Sequence, residues 1–113
     1  MKYLFRTAVL AGLAAGTAVP THAQSFVIAP ELWDRPRSGT AIMERAAVRQ
    51  AVAAWLAAPG ARIVVHHGPG HESALQAEEI RAWLIALAIE AQRVSLRDDL
   101  KPAEPLRLDI VRD

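Results

Sequence analysis

The spacing of apolar and polar residues changes period along the chain, and each change marks an element. Ser25-Phe26-Val27-Ile28-Ala29 is a short β-prone run closed by Pro30, and Glu31 to Gly39, with Pro36 and Gly39, reads as a loop. From about Ala41 to Ala57 the apolar residues Ile42, Ala46, Val48, Val52, Trp55 and Leu56 recur near helical spacing, with Glu44, Arg45, Arg49 and Gln50 opposite. One helix is expected there, stopped by Pro59-Gly60. Arg62-Ile63-Val64-Val65-His66-His67 is nearly continuous and β-branched, the pattern of a central strand. After Gly68-Pro69-Gly70, Ser73-Ala74-Leu75-Gln76 has the form of a capping box, so Ser73 is expected to cap a second helix. That helix shows Ala77, Ile80, Leu84 and Leu87 on one face and Trp83 on its flank.

Two more strands follow. Arg93-Val94-Ser95-Leu96 is short, and Leu106 to Arg112 alternates apolar with charged residues, as a strand with one face on helices and one toward water does. A polar loop bracketed by Pro102 and Pro105 separates them. The order is β-α-β-α-β-β. It predicts an α/β (α+β) two-layer sandwich in which two helices pack on one face of a small mixed sheet. Ile63, Val65, Leu84 and Leu108 are expected in its core.

The first 23 residues follow a different logic. Lys2 and Arg6 form a basic start, positions 7–19 are built almost wholly of Ala, Val, Leu and Gly, and small residues stand at −3 and −1 of a cut after Ala23. This is the layout of a secretory signal peptide. The apolar run is well short of the roughly 20 residues that span a bilayer. Residues 1–23 are therefore expected to be a cleaved leader, and residues 24–113 a single small domain of the periplasm or beyond, with no membrane span.

Removing the leader changes the charge. The whole chain has 13 basic and 12 acidic residues; without Lys2 and Arg6 the acids are in slight excess. Arg and Asp/Glu are interspersed rather than clustered, which argues against nucleic acid as a partner. There is no cysteine, so the domain depends on its core alone for stability.

Chemistry concentrates in His66-His67-Gly68-Pro69-Gly70-His71-Glu72. Three imidazoles and a carboxylate in that span include ligand types for Zn²⁺ or Cu²⁺. Alternation along the strand puts His66 and His67 on opposite faces, so His67, His71 and Glu72 are the metal candidates, and their convergence is expected to be incomplete. Ser73 is assigned to capping rather than to nucleophilic catalysis, for which no elbow motif or orienting third group is present. Proline in the Gly-Pro-Gly turn removes an amide donor that a phosphate loop would use. No catalytic residue and no cofactor is expected. Trp55 and Trp83 fit core-edge positions, which leaves Trp33 as the one good exposed indole for stacking on a sugar.

The order of elements resembles the OmpA-like peptidoglycan-binding domain of envelope proteins. Trp83-Leu84 through Arg93-Val94 resembles the family's helix end, its glycine-isoleucine turn and its entry to the next strand. Ala58-Pro59-Gly60-Ala61-Arg62-Ile63-Val64-Val65 resembles its first-helix exit and central strand. The resemblance implies a ligand grip at the end of that strand and the start of the second helix. There the family has an aspartate and an arginine for the diaminopimelate stem; this chain has His66-His67-Gly68-Pro69-Gly70 and Gln76. A neutral amide does not supply the charge-assisted, bidentate bond that a carboxylate takes from arginine. His67, His71, Glu72 and Gln76 are accordingly the expected binding residues. The expected function is a non-enzymatic envelope interaction module whose partner is peptidoglycan or another envelope protein. The alternatives are an adaptor in a secretion, pilus or polymer-export assembly and a small periplasmic metal-binding protein.

Overall fold

A computed structural model describes residues 23–112; the expected leader lies outside them except for Ala23. Strand β1 (Ala23–Val27) leads through a 3-10 turn (Pro30–Asp34) to helices α1 (Gly39–Met43) and α2 (Ala46–Leu56). Strand β2 (Arg62–His67), helix α3 (His71–Ala86), strand β3 (Val94–Asp98) and strand β4 (Arg107–Val111) complete the fold. It is a mixed α/β, two-layer arrangement. The sheet order is β1-β4-β2-β3. β4 lies antiparallel to both β1 and β2, whereas β2 and β3 are parallel and joined through α3. A parallel pair needs such a crossover, and α3 supplies it.

The register sorts the side chains. Phe26, Leu108, Val65 and Leu96 form one row across the sheet, and Gln24, Ile110, Ile63 and Val94 the next. The apolar members of these rows join Ile42, Val48, Ala51, Ala77, Ile80 and Leu84 in one core. Ile63, Val65, Leu84 and Leu108 are fully buried, as the pattern predicts. Burying each such side chain contributes about 1.5–3 kcal/mol.

The first helix is not continuous. Arg45 adopts an extended backbone (φ −77, ψ 122), which separates α1 from α2. The break frees carbonyls, and the Arg49 guanidinium donates to those of Met43 (3.1 Å) and Glu44 (2.8 Å). Ser38 opens α1 by accepting from the Ala41 N–H at 3.1 Å, so part of the expected loop is a helix cap. α2 ends as predicted before Pro59, and Gly60 turns with φ 84. Trp55 closes this corner by donating from Nε1 to the Ala61 carbonyl at 2.9 Å.

α3 begins earlier than the capping box implies. Its N-cap is Gly70, at φ 102, and no side chain caps it. Ser73 instead lies in the first turn, where its Oγ accepts from the Gly68 N–H at 2.9 Å. The hydroxyl ties the turn back to the strand rather than starting the helix. At the other end Ala88 takes φ 79. Ala88 N–H bonds the Ile85 carbonyl (2.9 Å) and Ile89 N–H the Leu84 carbonyl (3.1 Å). This is a Schellman closure with alanine where glycine normally stands.

Candidate functional site: a cleft at the end of the central strand

β2 runs out at His67 and the chain turns through Gly68-Pro69-Gly70 into α3. The turn is narrow because another backbone lies against it. A Cβ at Gly68 would stand 3.2 Å from the Lys101 carbonyl oxygen, and Leu100 N–H donates to the His67 carbonyl at 3.1 Å. The β3–β4 loop is thus pinned beside the β2–α3 turn. Together with the segment after β1 they enclose an open cleft of about 550 Å³, within the usual range of small-ligand sites. Its position, beyond the carboxyl end of a parallel strand pair, is where α/β sheets commonly hold ligands.

Three of the four sequence-derived binding residues meet in this cleft: His71, Glu72 and Gln76 all line it. His67 does not. Its side chain is buried on the helix side of the sheet, and its Nδ1 donates to the Gly68 carbonyl at 2.9 Å. His67 therefore stands apart from the cleft that His71 and Glu72 line. Among the described residues no cluster of three or more His, Asp or Glu side chains is placed to hold a metal ion.

The opposite wall carries residues whose partners could not be read from spacing. Trp33 and Asp34 come from the 3-10 turn, and Glu104 from the β3–β4 loop. Trp33, expected as an exposed indole, lines the cleft half-buried and packed against the core. The Arg37 guanidinium sits 5.3 Å from its ring centroid and also bonds the Trp33 and Arg35 carbonyls. Arg37 in turn makes a two-point bond with Glu79 on α3, at 2.5 and 3.0 Å, and Trp83 Nε1 donates to the same carboxylate at 3.1 Å. The hydrogen bond from Arg37 is the main cause that holds the Glu79 carboxyl below its ordinary range, against a smaller opposing effect of burial. The chain of contacts ties the indole to α3.

A second polar cluster lies on the sheet face away from the helices. His66 places Nδ1 2.7 Å from Asp99 and Nε2 3.0 Å from Asp109. Ser25 Oγ donates to Asp109 at 2.7 Å, and Arg107 Nε at 3.1 Å. The bond to His66 is the largest influence holding the Asp99 carboxyl below its ordinary range; Arg97 and Arg107 add to it. Asp109 is therefore enclosed, although the alternation of its strand points it toward water. Alternation alone places His66 and Asp109 on one face, but only the β2–β4 register brings them together.

Comparison with protein-family models, curated proteins and solved structures finds no match. Among the described residues no helix is long and apolar enough to cross a membrane.

Proposed function

We propose that the chain, once exported to the periplasm, acts as a non-enzymatic binding module of OmpA-like type that holds a cell-wall polymer in the cleft. One observation carries this reading. The cleft forms where β2 ends and α3 begins, the place where the resemblance puts its ligand grip, and His71, Glu72 and Gln76 line it. The order of elements, with the first helix split into α1 and α2, supports the reading. So does the α3 exit, where Ala88 takes the left-handed turn and buried Ile89 follows, as a glycine-isoleucine pair would. A binding role rather than catalysis fits a Ser73 hydroxyl engaged by the Gly68 amide and a His67 ring turned onto its own neighbour.

The adaptor reading has one observation in its favour. β3 is an edge strand, and beside it Ala82, Ile85 and Leu96 line a shallow groove rimmed by Glu78 and Arg81. An open edge with an apolar groove suits strand addition by another protein. Co-sedimentation with purified sacculi, run beside crosslinking in intact cells, separates the two. Retention on sacculi that is lost in a Gln76→Ala, Glu72→Ala double variant is the expected result. Crosslinks to a single envelope protein with no sacculus binding would favour the adaptor. Mass spectrometry of the periplasmic fraction should find an N-terminus at Gln24; an intact Met1 in the cytoplasm would overturn export.

A further inference from the structure

The cleft's lining says more about its ligand than the resemblance does. Its ionisable side chains are Asp34, Glu72, Glu104 and His71; among the described lining residues there is neither Lys nor Arg. Arg37, the nearest cation to Trp33 that the contacts identify, is paired with Glu79. A ligand held by its carboxylate would meet acidic groups without a countercharge, and burying an unpaired charge is strongly unfavourable. The cleft instead offers an aromatic plate and flat polar groups: Trp33, the Gln76 amide, the His71 ring and carboxylates. An indole gives a sugar ring an apolar face to lie on. Carboxylate, amide and imidazole groups accept from, or donate to, its hydroxyls. The clamp through Arg37, Glu79 and Trp83 keeps the plate in place before the ligand arrives, which lowers the ordering cost of binding.

Resting on the cell-wall reading, we infer that the cleft takes a neutral glycan, the N-acetylhexosamine backbone of the wall, and not the anionic peptide stem. Trp33 is the stacking residue, and Gln76, His71 and Glu72 read the hydroxyl and acetamido groups. Arg37 and Glu79 are positioning residues that act through Trp33.

The test uses three probes on the purified protein: intact sacculi, neutral N-acetylglucosamine oligomers and free stem peptide. Sacculi and the oligomers should both bind, stem peptide should not, and affinity for the oligomers should change less than twofold between low and physiological salt. In NMR titrations the Trp33 indole N–H should shift while those of Trp55 and Trp83 stay near their free positions. Trp33→Ala should weaken oligomer binding at least tenfold, and Trp33→Phe should retain most of it. Should Trp33→Ala fail to fold, Gln76→Ala, at a half-exposed position, replaces it with an expected loss of threefold or more. Binding to sacculi and stem peptide but not to the oligomers would overturn the glycan assignment and leave the wall reading standing. Oligomer binding through Trp33 without sacculus binding would do the reverse. Binding of none of the probes would remove both.

Discussion

Replacing Ala88 with glycine should make the protein more stable. Ala88 closes α3 at φ 79, where the Cβ of an L-residue crowds the following carbonyl at a cost of roughly 1–2 kcal/mol. Glycine removes that crowding but adds freedom to the unfolded chain, worth about 0.4–1 kcal/mol in the other direction. The net gain is about 0.5–1 kcal/mol. Ala88 is exposed, so the change leaves no cavity, and both closing hydrogen bonds, from Ala88 and Ile89 N–H, use backbone atoms that glycine retains. For a domain of this size 1 kcal/mol moves the melting temperature by about 4–8 °C, so a rise of roughly 2–8 °C is expected in thermal melts followed by circular dichroism. Gly60→Ala is the mirror control. Gly60 has φ 84 and open space around its Cβ position, so that change should cost about 1 kcal/mol through backbone strain alone. If Ala88→Gly leaves the melting point unchanged or lowers it, the left-handed closure of α3 is wrong, and support for the Gly-Ile correspondence goes with it.

Val65→Asp should abolish folding, because the site is fully buried and offers a carboxylate no partner; a melting point within a degree or two of the parent would refute the register. The Arg37–Glu79 bond predicts an acid-labile increment of stability. Glu79 titrates below its ordinary range in the folded state, so its contribution is complete above the unfolded value, about 4.3, and fades as pH falls through the lower folded value. Glu79→Gln should therefore flatten the stability profile at that acidic end and leave the fold intact, as urea melts between pH 3 and 6 will report. Stoichiometric Zn²⁺ should not raise the melting temperature, since His67 Nδ1 is bonded to the Gly68 carbonyl and no three ligand side chains group together among the described residues; a rise of several degrees that disappears in His71→Ala would restore the metal reading.

The strands were more legible in the sequence than the joints. Arg62 to His67 announces itself because five of its six residues are buried and β-branched residues dominate the run. The α1–α2 break left no such trace: Glu44 and Arg45 fit a helix, and what makes the break tolerable is a guanidinium one turn onward. Ser73 shows the limit of local motifs. Its hydroxyl can cap a helix or hold a turn, and the close approach of the Lys101 backbone to Gly68 decides for the turn. In the cleft, Gln76 and His71 were accessible to sequence reasoning through the strand-turn-helix pattern. Asp34 and Glu104 were not, since their loops join the site only when β1 and β4 pair. Trp33 was singled out as an exposed indole, but it packs half-buried and its neighbour Arg37 is fixed by a bond to Glu79, 42 positions further on.

The pairing of β1 with β4 has a consequence for the order of events during biogenesis. β1 touches no other strand, so the first described segment of the chain waits for the last. Joining Ser25 to Asp109 closes a separation of 84 positions, an entropic penalty of about 4 kcal/mol if made before the rest of the sheet, from the (3/2)RT ln n scaling. β1 therefore docks late, after β2, α3, β3 and β4 have assembled and shortened the loop. On the proposed cut after Ala23, the scissile bond lies within β1, whose first residue pairs with Val111. A peptidase needs that segment extended and unpaired. On that proposal processing must come before docking, and an exported chain would stay cleavable until β4 is available to pair with β1.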